Sequence, residues 1–414
     1  LLHKTENICP LKESLEELRQ DPAKNQKKTE FLTKYAAEHK LPVLEVKAAL
    51  VEPAAVVYKE NRELIPREAA DFTDTLSREQ LIALAAGDPA KGQGGALGAA
   101  GAAVPGSAGE TSGCAADQNL AGIVLADGPA GLRLLKSYHV YEGKIVNKPF
   151  MQSFEGGLFC DGQTEEPGET YYQYCTAIPV GTLLAQSWNE DLLEEVGEMV
   201  GGEMEEFGVT LWLAPGMNIH RNPLCGRNFE YYSEDPLLSG KMAAAITRGV
   251  QQVPGCGTTI KHFACNNQED NRMGCDSILS ERTLREIYLK GFEIAVRESQ
   301  PMAIMTSYNL INGIHAANCE DICTKAARCE WGFQGIIMTD WTTTEQGEDC
   351  TAAGCMRAGN DLVMPGAASD IANLKAELDA GTLNEEDLKA CVARLAGIIL
   401  QSNQYEEAEP YRKY

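Results

Sequence analysis

Residues 335–341 read Gly335-Ile336-Ile337-Met338-Thr339-Asp340-Trp341, a short apolar run that ends in a carboxylate and an indole. An apolar run of this length between amphipathic helical stretches is typical of a buried strand in a parallel sheet. Similar runs recur at 123–126, 210–214, 258–260, 303–307 and 362–364, and they alternate with helical stretches at 189–207, 236–253, 280–298, 320–331, 370–379 and 384–401. This alternation predicts βα units, and we expect an α/β fold of the TIM-like (β/α)8 barrel type.

Six apolar runs are two fewer than the strands of a closed (β/α)8 barrel. We expect the missing strands at 177–184 and in the irregular stretch before residue 120, and we predict that residues 71–403 form the barrel. The segment 1–70 contains a charged helical stretch and two prolines, which indicates a linker or the tail of a preceding domain. Residues 404–414 are predicted to be a C-terminal tail.

The segment from Gly87 to Gly113 is rich in Gly, Ala, Pro and Ser and predicts a long loop. No apolar strand precedes its glycines and no Gly-Lys-Ser/Thr follows them, so the segment does not indicate a nucleotide site. A long loop in a compact domain is often a lid over an active site, and we interpret this one in that way.

The composition indicates which classes of partner and which cellular location to expect. Sixty acidic residues against 36 basic ones give a formal charge of −24, which makes nucleic acid and anionic membranes unexpected partners. No apolar run approaches the ~20 residues of a membrane-spanning helix. Fourteen scattered cysteines favour reduced thiols and a cytoplasmic location, although the chain begins with Leu1, so a secreted protein without its signal peptide stays open. The spacing of Cys319, Cys323 and Cys329 matches no common zinc site, and we expect no metal.

Polar and aromatic residues collect at the C-terminal ends of the predicted strands, where barrels of this type have their active sites. Carboxylates and cations bind paired hydroxyl groups, and an aromatic ring covers the apolar face of a pyranose. We therefore expect a sugar-binding site. Its candidate residues are Asp127, Trp212, Arg227, Lys261, His262, Tyr308, Asp340 and Trp341.

Six ordered motifs between Leu120 and Pro365 resemble glycoside hydrolase family 3, in particular its β-glucosidase-like members. They are Asp127-Gly128-Pro129-Ala130-Gly131-Leu132-Arg133, Asn218-Ile219-His220-Arg221-Asn222-Pro223, Gly226-Arg227-Asn228-Phe229-Glu230 with Ser233-Glu234-Asp235-Pro236, Lys261-His262-Phe263 with Asn266-Asn267-Gln268-Glu269, Met305-Thr306-Ser307-Tyr308-Asn309, and Thr339-Asp340-Trp341. The resemblance implies hydrolysis of terminal non-reducing β-D-glucosyl residues by a retaining double displacement, without a cofactor. It also implies that Asp340 is the nucleophile, and that the sugar subsite consists of Asp127, Arg227, Lys261, His262, Met305, Tyr308 and Trp341.

The acid/base residue is the point at which the sequence departs from the family. In family 3 this residue usually comes from an α/β-sandwich domain, and the sequence shows no such domain. The proline-containing lead-in at 50–70 resembles the subgroup that places the sandwich before the barrel. We therefore expect the acid/base to come from a domain upstream of Leu1 or from a partner chain, and its identity is unknown. We also expect Arg227 and Lys261 to keep Asp340 ionised by lowering its pKa.

Three alternatives remain open at this stage. A β-xylosidase of the same family differs in its substrate by one hydroxymethyl group, which a pocket discriminates by only ~1–3 kcal/mol. An aldolase-like barrel would use Lys261 to form a Schiff base. A non-catalytic barrel would bind glycans or depend on a partner chain for the missing domain.

Overall fold

The structure is a computed structural model that describes residues 34, 37–38, 64–88, 101, 103–146, 168–347 and 349–404. Most of the predicted leader segment 1–70, about half of the predicted lid and nearly all of the predicted tail 404–414 lie outside the described residues. The predicted domain boundaries therefore stay predictions. Of the lead-in, Ala69 is fully buried in a core cluster that also contains Leu388 and Leu395.

The described residues form strands and helices that we number in chain order. The strands are β1 (Gly109–Glu110), β2 (Val124–Ala126), β3 (Ser137–Tyr141), β4 (Lys144–Val146), β5 (Glu169–Tyr172), β6 (Leu211–Trp212), β7 (Gly257–Phe263), β8 (Asp276–Ser277), β9 (Ala303–Thr306), β10 (Leu310–Ile311), β11 (Ile314–His315) and β12 (Ile336–Met338). The helices are α1 (Arg67–Thr73), α2 (Arg78–Leu84), α3 (Gly181–Ala185), α4 (Glu190–Phe207), α5 (Pro236–Val250), α6 (Glu281–Thr283), α7 (Lys290–Ser299), α8 (Thr343–Gln346), α9 (Ala352–Ala358), α10 (Ala368–Ala380) and α11 (Glu385–Leu400). Leu284–Tyr288 and Asp321–Glu330 are π-helical.

A six-stranded sheet in the order β1-β2-β6-β7-β9-β12 forms most of the barrel wall, and its strands from β2 onward are parallel. Short bridges close the ring, because Met338 pairs with Leu362, Ala86 pairs with Val363, and Gly87 pairs with Thr111 beside β1. Two backbone bonds of 2.9 Å, from Thr339 N to the oxygen of Leu362 and from Gly87 N to that of Val363, support the closure. The predicted TIM-like barrel is confirmed.

The two missing strands both lie before residue 120, as Ala86–Gly87 and as β1, which runs antiparallel to β2. The other predicted location, 177–184, is wrong, since it contains an irregular segment followed by α3. A two-residue strand is too short to show a hydrophobic period, and therefore neither wall segment could be recognised from its pattern.

Alternate residues of each strand pack on opposite sides of the wall, as the two-residue period of a strand requires. In β9, Ile304 packs with the outer helices, whereas Ala303 and Met305 belong to the second core cluster. In β7, Ile260 packs outward, so the next residue, Lys261, points into the barrel. Lys261 is in register with Met305 of β9.

The barrel helices begin at well-defined caps. Ser77 and Gln80 form a capping box at the start of α2. Asp235 accepts hydrogen bonds at the start of α5, which has proline at its first position. None of the helices among the described residues is long and apolar enough to cross a membrane.

A buried ion cluster holds β12, the strand that leads to Asp340. Asp361 accepts a hydrogen bond of 2.8 Å from the backbone N–H of Ile337 and one of 2.7 Å from Arg394 Nε. Arg328 donates to Oδ2 of the same carboxylate, which is the oxygen that also accepts from Ile337. The cluster therefore connects the π-helical segment Asp321–Glu330 and α11 to β12.

Candidate active site

Asp340 lies two residues beyond β12, at the mouth of the barrel, and only 8% of the residue is exposed. Its Oδ1 accepts a hydrogen bond of 2.7 Å from the backbone N–H of Trp341. Its Oδ2 is buried without a hydrogen-bond partner among the described residues, and the nearest polar ring atom is His262 Nε2 at 3.6 Å. The backbone thus holds Oδ1, whereas Oδ2 accepts no hydrogen bond from the described residues.

Asp127, which follows β2, is held between two cations. Lys261 Nζ lies 2.7 Å from Oδ1, and Arg133 donates a 2.6 Å hydrogen bond to Oδ2. Burial alone would raise the pKa of Asp127, but the charges of Lys261 and Arg133 outweigh burial and lower it far below its ordinary value. Asp127 is therefore an ionised acceptor at neutral pH, which suits it to bind sugar hydroxyl groups.

Arg227 brings a further guanidinium group to the site. It donates from Nε to Glu230 Oε1, and the Glu230 side chain is only 4% exposed. The charge of Arg227 reaches both Asp340 and His262, since it lowers the pKa of each.

His262 is 1% exposed and belongs to a chain of hydrogen bonds. Its Nδ1 lies 3.1 Å from the hydroxyl oxygen of Tyr231. Asn266 Nδ2 lies 3.0 Å from that hydroxyl oxygen and also 3.0 Å from Glu269 Oε1. Burial lowers the pKa of His262 well below its ordinary value, and the neighbouring cations lower it further. His262 is therefore neutral at physiological pH.

The charge state of Asp340 differs from the expectation. Arg227 and Lys261 do act on Asp340 in the predicted direction, but burial is the larger effect and raises its pKa above the ordinary value. The prediction of a net lowered pKa is wrong, because sequence motifs do not reveal how deeply a strand-end carboxylate is buried.

Tyr308 contacts the backbone and also lies close enough to Asp340 for its hydroxyl group to lower the pKa of that carboxyl, whereas the two tryptophans are mostly structural in their contacts. Tyr308 donates 2.9 Å to the backbone oxygen of Trp341, and the Arg272 guanidinium lies 4.4 Å from the centre of its ring. Trp341 is 4% exposed and donates 3.1 Å to the oxygen of Ala108. Trp212 is fully buried and donates 2.8 Å to a backbone oxygen after β2, so the stacking role predicted for Trp212 is wrong.

The structure brings together Asp127, Arg227, Lys261, His262, Tyr308 and Asp340 at the barrel mouth. Met305 is 1% exposed and lies in the core cluster beneath them, so its predicted contact with the sugar stays a prediction. Sequence reasoning assigned no role to the partners Arg133, Glu230, Tyr231, Asn266, Glu269 and Arg272. All but Tyr231 and Arg272 lie within the quoted motifs, and for those two no motif could have shown the contact.

A separate cavity of about 740 Å³ lies on the same face of the barrel. It is lined by the loops after β6 and β7 and by the segment from Cys275 to Thr283, and Asp340 is not among its lining residues. Among the described residues no group of His, Cys, Asp and Glu side chains is arranged to hold a metal ion.

Comparison with known proteins gives a consistent result. The model of the glycosyl hydrolase family 3 N-terminal domain matches residues 162–398. Beta-glucosidase A of Butyrivibrio fibrisolvens is 48% identical over 214 residues, which cover 52% of this chain and 25% of the relative. An exo-α-(1→6)-L-arabinopyranosidase of Bifidobacterium longum is 47% identical over 195 residues, covering 47% of this chain and 25% of the relative.

Solved structures agree with the sequence relatives. β-Glucosidase 3B of Thermotoga neapolitana in complex with glucose aligns with a TM-score of 0.70 and 40% identity, over 84% of this chain and 44% of that chain. This chain thus spans about a quarter of the length of the curated relatives and under half of the solved one.

Proposed function

This chain belongs to glycoside hydrolase family 3, and from that membership we propose that it is the nucleophile-bearing barrel of a retaining β-glucosidase. The substrate is a terminal non-reducing β-D-glucosyl residue of a glucoside or oligosaccharide. The names of the relatives, several of them β-glucosidases, support this substrate class.

The observation that carries the proposal is the state of Asp340. A retaining glycosidase needs one carboxylate oxygen free to attack the anomeric carbon while the side chain is held in a fixed orientation. In Asp340, Oδ1 accepts from the backbone of Trp341, whereas Oδ2 is buried at the barrel mouth and accepts no hydrogen bond among the described residues. Attack by Oδ2 forms a bond to the anomeric carbon with inversion and breaks the bond to the aglycone oxygen, which takes up a proton from the acid. Water then displaces the Asp340 carboxylate with a second inversion, so that the configuration is retained overall.

The surrounding groups suit a sugar next to Asp340. Asp127 is ionised by its two cations and accepts from hydroxyl groups, and Arg227 and Lys261 donate to them. These groups are ordered before a substrate arrives, because Asp127 and Lys261 contact each other and Arg227 is held by Glu230. Hydrogen bonds to charged groups are the stronger class, so the subsite is expected to favour a ring with several equatorial hydroxyl groups.

The acid/base belongs to the proposal as well. We place it in a part of the protein outside this chain, either a sandwich domain or a partner chain. A carboxyl group about 5 Å from Asp340 would donate a proton to the leaving oxygen. The alternative within the family is a β-xylosidase, and the name of the arabinopyranosidase relative shows that the sugar varies among similar proteins.

Covalent labelling tests the nucleophile. The chain is incubated with an activated 2-deoxy-2-fluoro-β-glucoside, digested and analysed by mass spectrometry, with Asp340→Asn as the matched variant. The proposal expects one fluoroglucosyl group on the peptide that contains Asp340 and none in the variant. A label on another carboxylate, or an equal label in the variant, would overturn it.

The rival functions predict different results for the same purified chain. A Schiff-base enzyme would be trapped at Lys261 by borohydride with a carbonyl substrate. Lys261 Nζ is engaged at 2.7 Å by the carboxylate of Asp127, so it is not free to attack a carbonyl carbon as a Schiff-base lysine must. A non-catalytic barrel would bind glucose but would neither be labelled nor release an activated aryl alcohol.

A further inference from the structure

A line of four side chains leads from the edge of the site to the nucleophile. Glu269 Oε1 lies 3.0 Å from Asn266 Nδ2, which lies 3.0 Å from the Tyr231 hydroxyl oxygen. That hydroxyl lies 3.1 Å from Nδ1 of His262, whose Nε2 faces Asp340 Oδ2 at 3.6 Å. Tyr231, His262 and Asn266 are each less than 4% exposed, so water does not compete for these contacts.

The chemistry of its first member fixes the direction of every proton along the line. An ionised carboxylate only accepts, so the atom of Asn266 that faces Glu269 is the amino group. The same amino group faces the Tyr231 oxygen, which therefore accepts from Asn266 and has its own O–H proton left to donate. Its remaining neighbour in the line is His262 Nδ1, and this nitrogen must accept.

The consequence is a defined tautomer of His262. A neutral imidazole carries its proton on one nitrogen, and if Nδ1 accepts, the proton is on Nε2. The Nε2–H group then points toward Oδ2 of Asp340, the oxygen that has no other donor among the described residues. With the opposite tautomer, a nitrogen lone pair would face the carboxylate and repel it.

We propose that Tyr231, Asn266 and Glu269 are positioning residues that hold His262 as the Nε2–H tautomer, so that its Nε2–H group faces Oδ2 of Asp340 at 3.6 Å and stabilises the ionised nucleophile electrostatically. This inference rests on the proposed function only for its catalytic consequence. The tautomer itself is a property of the free protein.

Glu269 has a second contact that reaches the opposite wall of the site. Arg272 donates 2.9 Å to Glu269 Oε2, and its guanidinium lies over the ring of Tyr308, which donates to the backbone oxygen of Trp341. The two oxygens of Glu269 thus connect the His262 side and the Tyr308 side of the nucleophile. Glu269 is the shared end of both contacts.

The tautomer is measured directly by ¹⁵N NMR of the full chain labelled at histidine, with His262→Gln to assign the signals. We expect a pyridine-type Nδ1 and a pyrrole-type Nε2 in the wild type. In Tyr231→Phe the Nδ1 signal should move toward that of a nitrogen without a donor. The matched control is Tyr232→Phe, because Tyr232 is also buried and adjacent but makes no hydrogen bond to His262 in the part of the chain that the structure describes, and it should leave the signal unchanged. A pyrrole-type Nδ1 in the wild type, or no response to Tyr231→Phe, would overturn the inference.

Kinetics test the catalytic consequence on an activated aryl β-glucoside. Tyr231→Phe and Asn266→Ala should lower kcat by about tenfold with little change in KM, the effect of losing a hydrogen bond to a charged group. The acid limb of the pH–rate profile should move to higher pH, because the ionised form of Asp340 loses a donor. The cations that face His262, which are Arg227, Lys261 and Arg272, are unchanged in both variants. A rise in KM alone, with an unchanged acid limb, would show a merely structural role. If covalent labelling misses Asp340, the proposed function fails, and the NMR result still decides the tautomer.

Discussion

A nucleophilic carboxylate has to be ionised when it attacks, and Asp340 lies where ionisation is disfavoured. Burial raises its pKa above the ordinary value despite the charges of Arg227 and Lys261. A carboxyl group whose pKa is higher in the folded than in the unfolded state stabilises the fold at low pH, and this stabilisation is lost as the pH rises through the folded-state pKa. Ionisation of Asp340 therefore destabilises the fold, which is common for catalytic groups.

The first prediction concerns this residue. Asp340→Asn should lower the turnover of an activated aryl β-glucoside by more than about 10³-fold, because the amide cannot form the glycosyl ester. The same variant should raise the Tm at pH 7, since it removes the buried charge. At about pH 3, where the wild-type carboxyl is protonated in both states, the difference should vanish. Thermal unfolding at the two pH values measures this.

The control for Asp340→Asn is Asp321→Asn, whose side chain is 71% exposed and pairs with Lys325 on the surface. It should change the Tm little at either pH. A lower Tm of Asp340→Asn at pH 7 would show that the cations outweigh burial, and the pKa direction would then be reversed.

Much of the composition of the site could be predicted residue by residue, because its residues lie in motifs at the ends of strands. Asp127, Lys261, His262 and Asp340 each lie at or directly after a strand of the parallel wall. The hydrogen bonds between Tyr231, His262 and Asn266 could not be predicted, since they join a turn after β6 to a strand and loop more than 30 positions away. Such contacts depend on loop conformation, which no local pattern specifies.

At the scale of elements, α4 and α5 pack closely because glycines face one another's backbone. A Cβ added to Gly249 would lie 2.0 Å from the backbone oxygen of Glu194, and the neighbouring atoms are also backbone. Backbone cannot move aside as a flexible side chain would. The approach of these two helices therefore depends on the absence of a side chain at this position.

Gly249→Ala is expected to lower the free energy of unfolding by about 1–3 kcal/mol or more, because the two helices must separate. The matched control is Gly202→Ala in α4, where a Cβ would meet nothing within 4 Å. This control should raise the free energy of unfolding by about 0.5–1 kcal/mol through helix propensity. Urea unfolding of both variants measures the difference, and equal effects would contradict the close packing.

The ion cluster beneath β12 gives a second prediction at this scale. Asp361 is fully buried between Arg328 and Arg394 and also accepts from the backbone of Ile337. Asp361→Asn should lower the free energy of unfolding by about 3–5 kcal/mol, because two buried guanidinium groups lose their counter-charge. Urea unfolding measures this, and an effect as small as that of Asp321→Asn would contradict it.

The elements themselves were largely predictable, and the exceptions have physical reasons. Each long helix and each parallel strand has its counterpart in the sequence pattern, because burial of one or both faces sets the period. The wall segments Ala86–Gly87 and β1 were not predicted individually. They are held by pairing with neighbours rather than by their own composition.

For the whole molecule, the described residues form a barrel whose mouth carries the proposed nucleophile but no assigned acid/base. The relatives are two to four times longer than the matched part of this chain. A retaining mechanism needs both carboxyl groups for leaving groups that must be protonated. The chain alone is therefore expected to hydrolyse substrates with good leaving groups faster than substrates whose leaving group must be protonated.

This expectation gives the last prediction. An activated aryl β-glucoside should be hydrolysed by the chain with a kcat/KM at least about 10²-fold higher than that for cellobiose, since general acid catalysis contributes about 10²- to 10⁴-fold. The measurement compares initial rates on both substrates, with Asp340→Asn as the background. Addition of azide should release β-glucosyl azide from the ester at Asp340, because a small anion needs no general base to attack. Equal efficiency on both substrates, without an effect of azide, would mean that a carboxyl group within these 414 residues already serves as the acid/base.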